Sequence, residues 1–312
     1  MTRNIAPETV PDPLRALDAL DRALVCAQRG SPDRPLILVH RDDFLVANQS
    51  QRSDLRGRLD AVLMGNDPES GLDALLTCGA LDALLPEVKA LVGFGDGEWR
   101  HKDVWKHTRQ VVRQAVPRTE VRWAALLHDI GKVRTRSISP EGEVHFFGHA
   151  EVGARMFDKL DRRTGLFSGD DPLRNTVRFL ILHHLRAAAY EPSWTDSAVR
   201  RWIRRVTRER MDDLYALCRA DVLGKGRPAP DEIERVEQLR ARAARILEAG
   251  DALSTKALVL NGNDLMRELD LRPGRHIGQL LDALLEKVID DPSLNTREQL
   301  LALARSQLTA EA

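Results

Sequence analysis

The sequence predicts a mainly α-helical protein, because of its composition and its hydrophobic periodicity. Charged side chains make up 30% of the 312 residues, and polar residues recur between apolar ones at helical spacing. Aromatic residues, which favour strands, account for only 4%. A chain of this length can bury the core of one large domain or of two modest ones.

The first 52 residues form a segment of unknown role. A short amphipathic helix is predicted there from apolar residues at Leu14, Leu17, Leu20 and Leu24. Two apolar runs, residues 36–39 and 44–46, follow and are separated by four polar residues. This pattern predicts a small β-hairpin.

Helical patterns dominate the rest of the chain. They cover residues 53–89, and residues 93–98 predict a linker. A long helical block then begins at His101 and extends to about Asp221. One extended stretch interrupts it around Pro140-Glu-Gly142, which favours a tight turn and predicts a surface hairpin.

The C-terminal part is also expected to be helical. We predict a charged helix over residues 231–249 and then an amphipathic helix within residues 277–288. A capping box at residues 295–298 predicts the start of a final helix. The chain thus divides into segments 1–52, 53–100, 101–230 and 231–312.

Charge and cysteine content exclude several classes of protein. Forty-seven basic side chains balance forty-seven acidic ones, so any attraction to nucleic acid must be local. The cysteines Cys26, Cys78 and Cys218 lie far apart, which argues against a disulfide framework or a thiolate zinc cluster. No apolar run resembles a signal peptide or a membrane span. We therefore expect a cytoplasmic protein without membrane association, and its oligomeric state, a homo-oligomer included, stays open.

Histidines are concentrated in one part of the chain, since six of the nine lie between His107 and His184. The pair His128-Asp129 follows the apolar run at residues 123–127. Neutral imidazole and ionised carboxylate suit divalent transition metals, and an apolar wall keeps water away from such ligands. The pair is therefore a candidate metal site.

Neighbouring residues extend this candidate site. Gly131 would let the helix end, so that both ligands could project from one terminus. Lys132 could then contact a phosphate oxygen, or it could cap the helix C-terminus. His107 and Asp221 lie on the apolar faces of other predicted helices, and a buried carboxylate needs a partner. A metal shared by four ligands is the simplest explanation, and a salt bridge to an arginine is the alternative.

These residues carry a resemblance to known families. The order His107, His128-Asp129, Asp221 matches the His, His-Asp, Asp order of HD-domain phosphohydrolases, and residues 128–132 resemble their central motif. From about residue 53 onward the chain also resembles the bacterial tRNA nucleotidyltransferases, CCA-adding enzymes that carry an HD domain. The segments that carry this second resemblance are 101–108, 122–136, 147–151, 194–200 and 261–266. The resemblance implies an HD-domain helical bundle at residues 101–230, a neck at 53–100 and a helical tail at 231–312.

The chain departs from the nucleotidyltransferases before residue 53. In that family a head domain with a Gly-Ser or Gly-Gly turn and an Asp-x-Asp pair binds two metals for nucleotide transfer. Here Gly30-Ser31 is followed only by Asp33 and Asp42-Asp43, with no Asp-x-Asp nearby. We therefore expect no nucleotide polymerisation by this chain alone.

The resemblance also implies roles for individual residues. It implies that one metal ion is held by His107, His128, Asp129 and Asp221. Asp129 would bridge to a second ion held by His149 and His183, with His184 less favoured because neighbouring helical residues seldom face one point. Such ions polarise a phosphoryl group and lower the pKa of a bound water, and Mn, Fe, Co, Ni or Mg fit these ligands. Lys132 would offset charge on the phosphoryl oxygens.

Related HD domains hydrolyse phosphomonoesters and 2′,3′-cyclic phosphodiesters, often on nucleotides or RNA ends. The resemblance therefore implies a metal-dependent phosphohydrolase that acts on nucleotides or RNA 3′ ends, tRNA included. Two alternatives stay open: a noncatalytic tRNA-binding relic of a nucleotidyltransferase, or one subunit of a split CCA-adding enzyme.

Two groups of residues have competing interpretations. Arg134, Arg136 and the arginine-rich stretch 200–210, which includes Arg204 and Arg205, could follow an RNA backbone. The other interpretation of the stretch is a solvated helix face with carboxylate partners. The remaining histidines are expected to be ordinary packing or surface residues: His40, His101, His145 and His276.

Overall fold

The structure, a computed structural model, describes residues 10–94 and 103–310, and it confirms the mainly α-helical fold class. The described chain forms two compact units. The first comprises the chain up to Ala188 together with Asp212–Ile233, and the second comprises Ala189–Met211 together with the chain from Glu234 onward. The predicted boundaries after residues 52 and 100 lie within the first unit, whose helices before residue 94 pack against later ones, and the predicted boundary after residue 230 lies close to its end at Ile233.

The helices, in chain order, are α1 (Pro13–Arg29), α2 (Arg41–Ser50), α3 (Arg52–Leu63), α4 (Pro68–Thr77), α5 (Ala80–Leu84), α6 (Pro86–Lys89), α7 (Val104–Gln114), α8 (Thr119–Leu127), α9 (Lys132–Thr135), α10 (His149–Thr164), α11 (Asp171–Ala188), α12 (Asp196–Val206), α13 (Arg208–Leu223), α14 (Pro230–Glu248), α15 (Gly262–Leu269), α16 (Arg275–Asp290) and α17 (Arg297–Ala310). Short 3-10 helices occupy Thr255–Ala257 and Pro292–Leu294. None of the described helices is both long and apolar enough to cross a lipid bilayer.

The predicted hairpin within residues 36–46 is wrong. Residues 44–46 lie inside α2, where Phe44 and Ala47 are buried at the spacing of a helix face. His40 caps this helix, since its Nδ1 accepts a hydrogen bond from Asp42 N at 3.4 Å. The acidic residues of the first turn also favour a helix start.

The hairpin predicted around Pro140-Glu-Gly142 is confirmed. Strands β1 (Ser137–Ile138) and β2 (Val144–His145) pair antiparallel, with Ser137 opposite His145. Gly142 has φ 85°, in the left-handed region that glycine adopts without strain. This is the one sheet among the described residues.

Helix α8 occupies the interior of the first unit. Its residues from Val121 to Leu127 are all buried, and it packs against α7 and α11. Arg122 is the one charged residue of this stretch, and its guanidinium donates to backbone carbonyls of Leu63, Gly65 and Ala115. The other buried residues are apolar and place the helix in the core. The residues that follow it, His128 and Asp129, are consequently delivered to the interior.

The second unit has a leucine-rich core. Helices α15, α16 and α17 surround buried Leu265, Leu284 and Leu300, which confirms the amphipathic helix and the final helix predicted from the sequence. Helix α17 begins one residue later than the predicted capping box requires, because Thr296 Oγ1 accepts from Gln299 N at 3.4 Å. The Asn295 side chain instead accepts a hydrogen bond from Val259 N and donates one to the Ala257 carbonyl oxygen.

The turn between α8 and α9 lies against the start of α10. Gly131 has φ −68°, so it is not the left-handed cap that the sequence suggests. A Cβ at this position would overlap the His149 carbonyl oxygen and lie 2.7 Å from Gly153 N. Gly131 is therefore required for the close approach of two backbones.

Replacing Gly131 with alanine should lower the free energy of unfolding by roughly 3 kcal/mol, because backbone must move to admit the methyl group. Gly57→Ala is the matched control: nothing lies within 4 Å of its Cβ position in α3, and alanine there should stabilise the protein by up to about 1 kcal/mol. Urea unfolding followed by far-UV circular dichroism measures both. Equal midpoints for wild type and Gly131→Ala would contradict the close approach.

Candidate metal centre

Two groups of side chains in the first unit could each hold a metal ion. One is His107, His128 and Asp129, and the other is Asp129, His149 and His184. Within each group the ligand atoms lie within 4.8 Å of one another. Asp129 belongs to both, so the two groups form one continuous cluster.

The two oxygens of Asp129 face different groups. Its Oδ2 lies 3.2 Å from His128 Nε2 and 3.7 Å from His107 Nε2. Its Oδ1 lies 3.5 Å from His149 Nε2. The residue is only 1% exposed. This is the arrangement that a bridging carboxylate requires.

Asp221 lies beside the first group. Its Oδ1 is 3.0 Å from His107 Nε2 and 3.8 Å from His128 Nε2. The end of α13 approaches α7 closely, since a Cβ at Gly224 would lie 2.9 Å from Val111 N. The Gly224 carbonyl accepts from His107 Nδ1 at 3.1 Å, so the same close approach orients that imidazole.

All four imidazoles are held in the same way. Each Nδ1 lies within hydrogen-bond distance of a backbone carbonyl oxygen, which can only accept, so each Nδ1 donates. In the neutral ring Nε2 then carries a free lone pair, and this is how metal-ligating histidines are commonly oriented. The pairs are His107 with Gly224 at 3.1 Å, and His128 with Ala125, His149 with Phe146 and His184 with Ile181, all at 2.8 Å.

Two contacts within the cluster fit a bound cation. The Nε2 atoms of His149 and His184 lie 3.2 Å apart, and two lone pairs facing each other repel unless a proton or a metal ion lies between them. His128 Nε2 is buried, and although Asp129 Oδ2 lies 3.2 Å away, its geometry forms no hydrogen bond with any described residue. Imidazole nitrogens and carboxylate oxygens suit divalent transition-metal ions. The donor set therefore fits a metal.

Electrostatics favour the protonation states that ligation requires at Asp129, His149 and His184, and they favour the protonated form at His128. Burial lowers the pKa of His184 to about 4, and burial also lowers the pKa of His149. Burial opposes ionisation of Asp129, but His128 and Lys132 hold the pKa of its carboxyl well below the usual range. Burial likewise opposes the charged form of His128, yet the carboxylates of Asp129 and Asp221 raise its pKa. The cluster therefore pairs ionised carboxylates with imidazoles.

The structure brings His184, and not the more favoured His183, to Asp129. His184 is buried on the core face of α11 with Val177 and Ile181, and its carbonyl accepts a hydrogen bond from the Cys218 thiol at 2.9 Å. His183 lies against the Phe179 ring at a centroid distance of 4.4 Å, and its Nδ1 accepts from Arg186 Nε at 2.7 Å.

His183 therefore carries its proton on Nε2, the opposite tautomer to the four clustered histidines. The signal that distinguishes His184 is present in the sequence two turns before it. Apolar residues precede both histidines at three and four positions, but seven positions before His184 stands Val177, whereas seven before His183 stands Thr176. The same periodicity places His183 beside the core face.

Lys132 begins α9, so it does not cap a helix C-terminus. Its Nζ lies 2.6 Å from Asp129 Oδ2 and 5.7 Å from the centroid of the Phe146 ring. A cation is thus fixed at the edge of the cluster.

The predicted RNA-binding arginines differ in their partners. Arg134 and Arg136 are exposed, and neither forms an ion pair with another described residue. Arg204 is paired with Glu286 at 2.6 Å and with Asp282 at 3.5 Å. Arg205 is exposed and has no such pair among the described residues.

The histidines expected to be ordinary lie outside the cluster where they are described. His40 caps α2, His145 lies in β2, and His276 is exposed near the start of α16. His101 falls outside the described residues.

Replacing His184 with glutamine should weaken Mn²⁺ binding by at least about 100-fold. Loss of a residue that only hydrogen-bonds a metal ligand already costs about 10–100-fold in affinity, and loss of the ligand itself should cost more. His183→Gln is the matched control and should bind Mn²⁺ like wild type. Equilibrium dialysis with elemental analysis measures both. Equal losses in the two variants would contradict the assignment of His184 to the cluster.

Comparison with known proteins agrees with this geometry. The HD-domain family matches residues 103–253, and the second domain of tRNA nucleotidyltransferase matches residues 230–304. The A-adding tRNA nucleotidyltransferase of Deinococcus radiodurans is 30% identical over 238 residues, which cover 74% of this chain and 53% of the relative. The CC-adding enzyme of Thermus thermophilus is 33% identical over 246 residues, covering 75% and 52%.

A third relative, the multifunctional CCA protein of Pseudomonas savastanoi pv. phaseolicola, is 27% identical over 286 residues, covering 82% of this chain and 68% of the relative. The chain spans about half the length of the A-adding and CC-adding relatives. It therefore carries an HD domain together with the second tRNA nucleotidyltransferase domain, and it resembles the HD, neck and tail regions of the bacterial tRNA nucleotidyltransferases.

Proposed function

We propose that the chain is a metal-dependent phosphohydrolase that removes a phosphate from, or opens a 2′,3′-cyclic phosphate on, a nucleotide or an RNA 3′ end. The observation that carries this proposal is the convergence of imidazole Nε2 atoms on the buried carboxylate of Asp129. The match to the HD domain, a family that is commonly hydrolytic, supports the same reaction class.

The residues of the cluster have distinct roles in this proposal. His107, His128, Asp129 and Asp221 would hold one divalent ion, and Asp129, His149 and His184 would hold another. A divalent ion bound there supplies Lewis-acid polarisation of a phosphoryl group and lowers the pKa of a water molecule. The backbone carbonyls fix the imidazoles in place, so little reorganisation is needed when the substrate binds.

Two further features would act on the substrate directly. Lys132 Nζ stands beside Asp129, where it can offset negative charge on phosphoryl oxygens. Buried Leu126, Leu127 and Ile130 flank the ligand pair and exclude water, which strengthens electrostatic interactions in the site.

An RNA end is favoured over a small phosphoester by charge and by the comparisons. Arg134 and Arg136 closely follow Lys132 and are exposed, with no carboxylate partner among the described residues. Unpaired guanidinium groups are suited to contact phosphates of a polynucleotide. The relatives are named for nucleotide addition to tRNA, which supports a tRNA 3′ end as the substrate class.

A second candidate function is that of a subunit in a split CCA-adding enzyme. The observation that favours it is that the matched relatives are about twice the length of the matched region, while residues 1–52 contain no Asp-x-Asp pair. A third candidate, a noncatalytic tRNA-binding relic, has less support. Facing imidazoles and a buried carboxylate would destabilise a protein that had no use for a metal.

The metal-dependent reaction predicts a clear activity pattern. Protein stripped of metal and refilled with single divalent ions should hydrolyse 2′,3′-cyclic nucleotides or 3′-phosphorylated RNA. Asp129→Asn, which removes the charge but keeps the shape, should lower kcat by at least about a thousandfold, the scale of loss on removal of a central catalytic group. Asp82→Asn, an exposed aspartate on α5, is the matched control and should retain activity.

If no metal supported hydrolysis of any substrate while the protein still bound tRNA, the phosphohydrolase would be contradicted and the noncatalytic tRNA-binding protein would be supported. CCA addition that appears only on mixing with a separate nucleotidyltransferase head would instead support the split enzyme.

The exposed guanidinium groups of Arg134 and Arg136 predict a salt effect on RNA binding. Arg134→Gln with Arg136→Gln should raise KM for an RNA substrate and reduce the slope of log affinity against log salt by about 1.4, since each phosphate contact to a single strand contributes about 0.7. Arg204→Gln is the control, because Glu286 and Asp282 already compensate that charge. Fluorescence anisotropy at several salt concentrations measures the slopes. If the Arg134 and Arg136 substitutions left the slope unchanged and only reversal of Arg204 and Arg205 to glutamate reduced it, contact of RNA phosphates with Arg134 and Arg136 would be contradicted.

A further inference from the structure

We propose that Phe147 and His145 form a stacking platform that receives the terminal base of the substrate beside the metal centre. This inference rests on the proposed function, because it names the part of a nucleotide or RNA end that lies next to the reacting phosphate. It assigns a binding role to one of the histidines expected to be ordinary.

Phe147 stands out by its exposure. It is 77% exposed, and it is the one exposed aromatic side chain among the described residues. A single exposed apolar side chain is common on protein surfaces, so exposure alone does not mark a site. The surroundings of Phe147 carry the inference.

The ring of Phe147 is held flat by a second ring. The His145 and Phe147 rings are stacked, with centroids 4.9 Å apart and an interplanar angle of 15°. His145 ends β2 and Phe147 lies in the turn that leads into α10. Because the Phe147 ring is already oriented, a base can stack on it with little loss of side-chain freedom.

The platform lies next to the cluster along the chain. The intervening residue, Phe146, is directed to the Phe94 ring, 6.2 Å away, and to Lys132 Nζ, 5.7 Å away. Its carbonyl bonds the imidazole of His149 at 2.8 Å. Two peptide units separate Phe147 from His149, so their Cα atoms lie within about 8 Å of each other.

This distance suits a nucleotide. The sugar separates the base from the phosphate, so a base stacked beside the cluster leaves its phosphate free to reach Lys132 and the ligands. Arg134 and Arg136, which have no carboxylate partner in the described part of the chain, precede β1 and are available to the next phosphates. Basic side chains interleaved with an exposed aromatic ring are typical of surfaces that bind single-stranded nucleic acid.

The test measures stacking separately from hydrolysis. The full chain loaded with Mg²⁺ is titrated with a short RNA whose 3′ nucleotide carries 2-aminopurine, a base whose fluorescence is quenched by stacking. Wild type should quench the fluorescence. Phe147→Ala should abolish the quenching and weaken binding roughly tenfold, in line with the loss of one base–aromatic stack.

Conservative variants separate stacking from simple apolar contact. Phe147→Tyr keeps a ring and should restore quenching, whereas Phe147→Leu keeps apolar bulk and should not. Ile138→Ala is the matched control, since Ile138 is 61% exposed on the same hairpin and has no ring. Full quenching by Phe147→Ala, or equal losses in Phe147→Leu, Phe147→Tyr and Ile138→Ala, would overturn the platform. Failure of wild type to quench would also overturn it.

Hydrolysis then distinguishes the two proposals. Phe147→Ala should lower the ratio of kcat/KM for 2′,3′-cyclic AMP to that for base-free glycerol 2-phosphate by roughly tenfold, the same stacking loss. Quenching that depends on Phe147 without hydrolysis of either compound would leave the platform standing and refute the phosphohydrolase. If Phe147→Ala hydrolysed both compounds with the same ratio of kcat/KM as wild type, the phosphohydrolase would stand and the platform would be refuted.

Discussion

Burial of the Asp129 carboxylate constrains the rest of the first unit. An ionised carboxylate that is 1% exposed is tolerated only where positive charge or hydrogen-bond donors compensate it. Lys132 supplies one charge at 2.6 Å, and the imidazoles of His107, His128 and His149 surround the two oxygens. The opposed Nε2 atoms of His149 and His184 remain without a donor between them unless a cation is present. The geometry is therefore explained most simply by a metal-binding protein.

The main chain holds this arrangement in place. Each clustered imidazole is tied through Nδ1 to a backbone carbonyl, and two glycines allow the helices to come close enough for these bonds. Gly131 brings the turn after α8 against α10, and Gly224 brings the end of α13 against α7. The cluster is consequently oriented before any ligand binds, as a site for phosphoryl chemistry requires.

Much of this could be predicted from the sequence, because the determining signals are local. The helical fold follows from apolar periodicity, and the ligand pair His128-Asp129 is marked by the apolar run before it. The periodicity of α11 also separates the two neighbouring histidines, because it places His184 on the core face and His183 beside it. The wrong hairpin at residues 36–46 arose because a short apolar run does not distinguish a strand from a buried helical turn.

Other features depend on contacts between distant segments, which one sequence does not specify. The sequence predicts Gly131 as a helix terminator, whereas the structure shows that its role is set by the His149 backbone. The stacking of His145 on Phe147 depends on the hairpin register, and the ion pairs of Arg204 depend on acidic residues of α16.

Anomalous diffraction from crystals soaked in Mn²⁺ tests the central claim most directly. A peak is expected among the Nε2 atoms of His107 and His128 and the carboxylates of Asp129 and Asp221, or among Asp129, His149 and His184, or at both positions. Absence of any peak in the cluster would contradict the metal centre. It would mean that Lys132 and protonated imidazoles alone compensate the charge of Asp129.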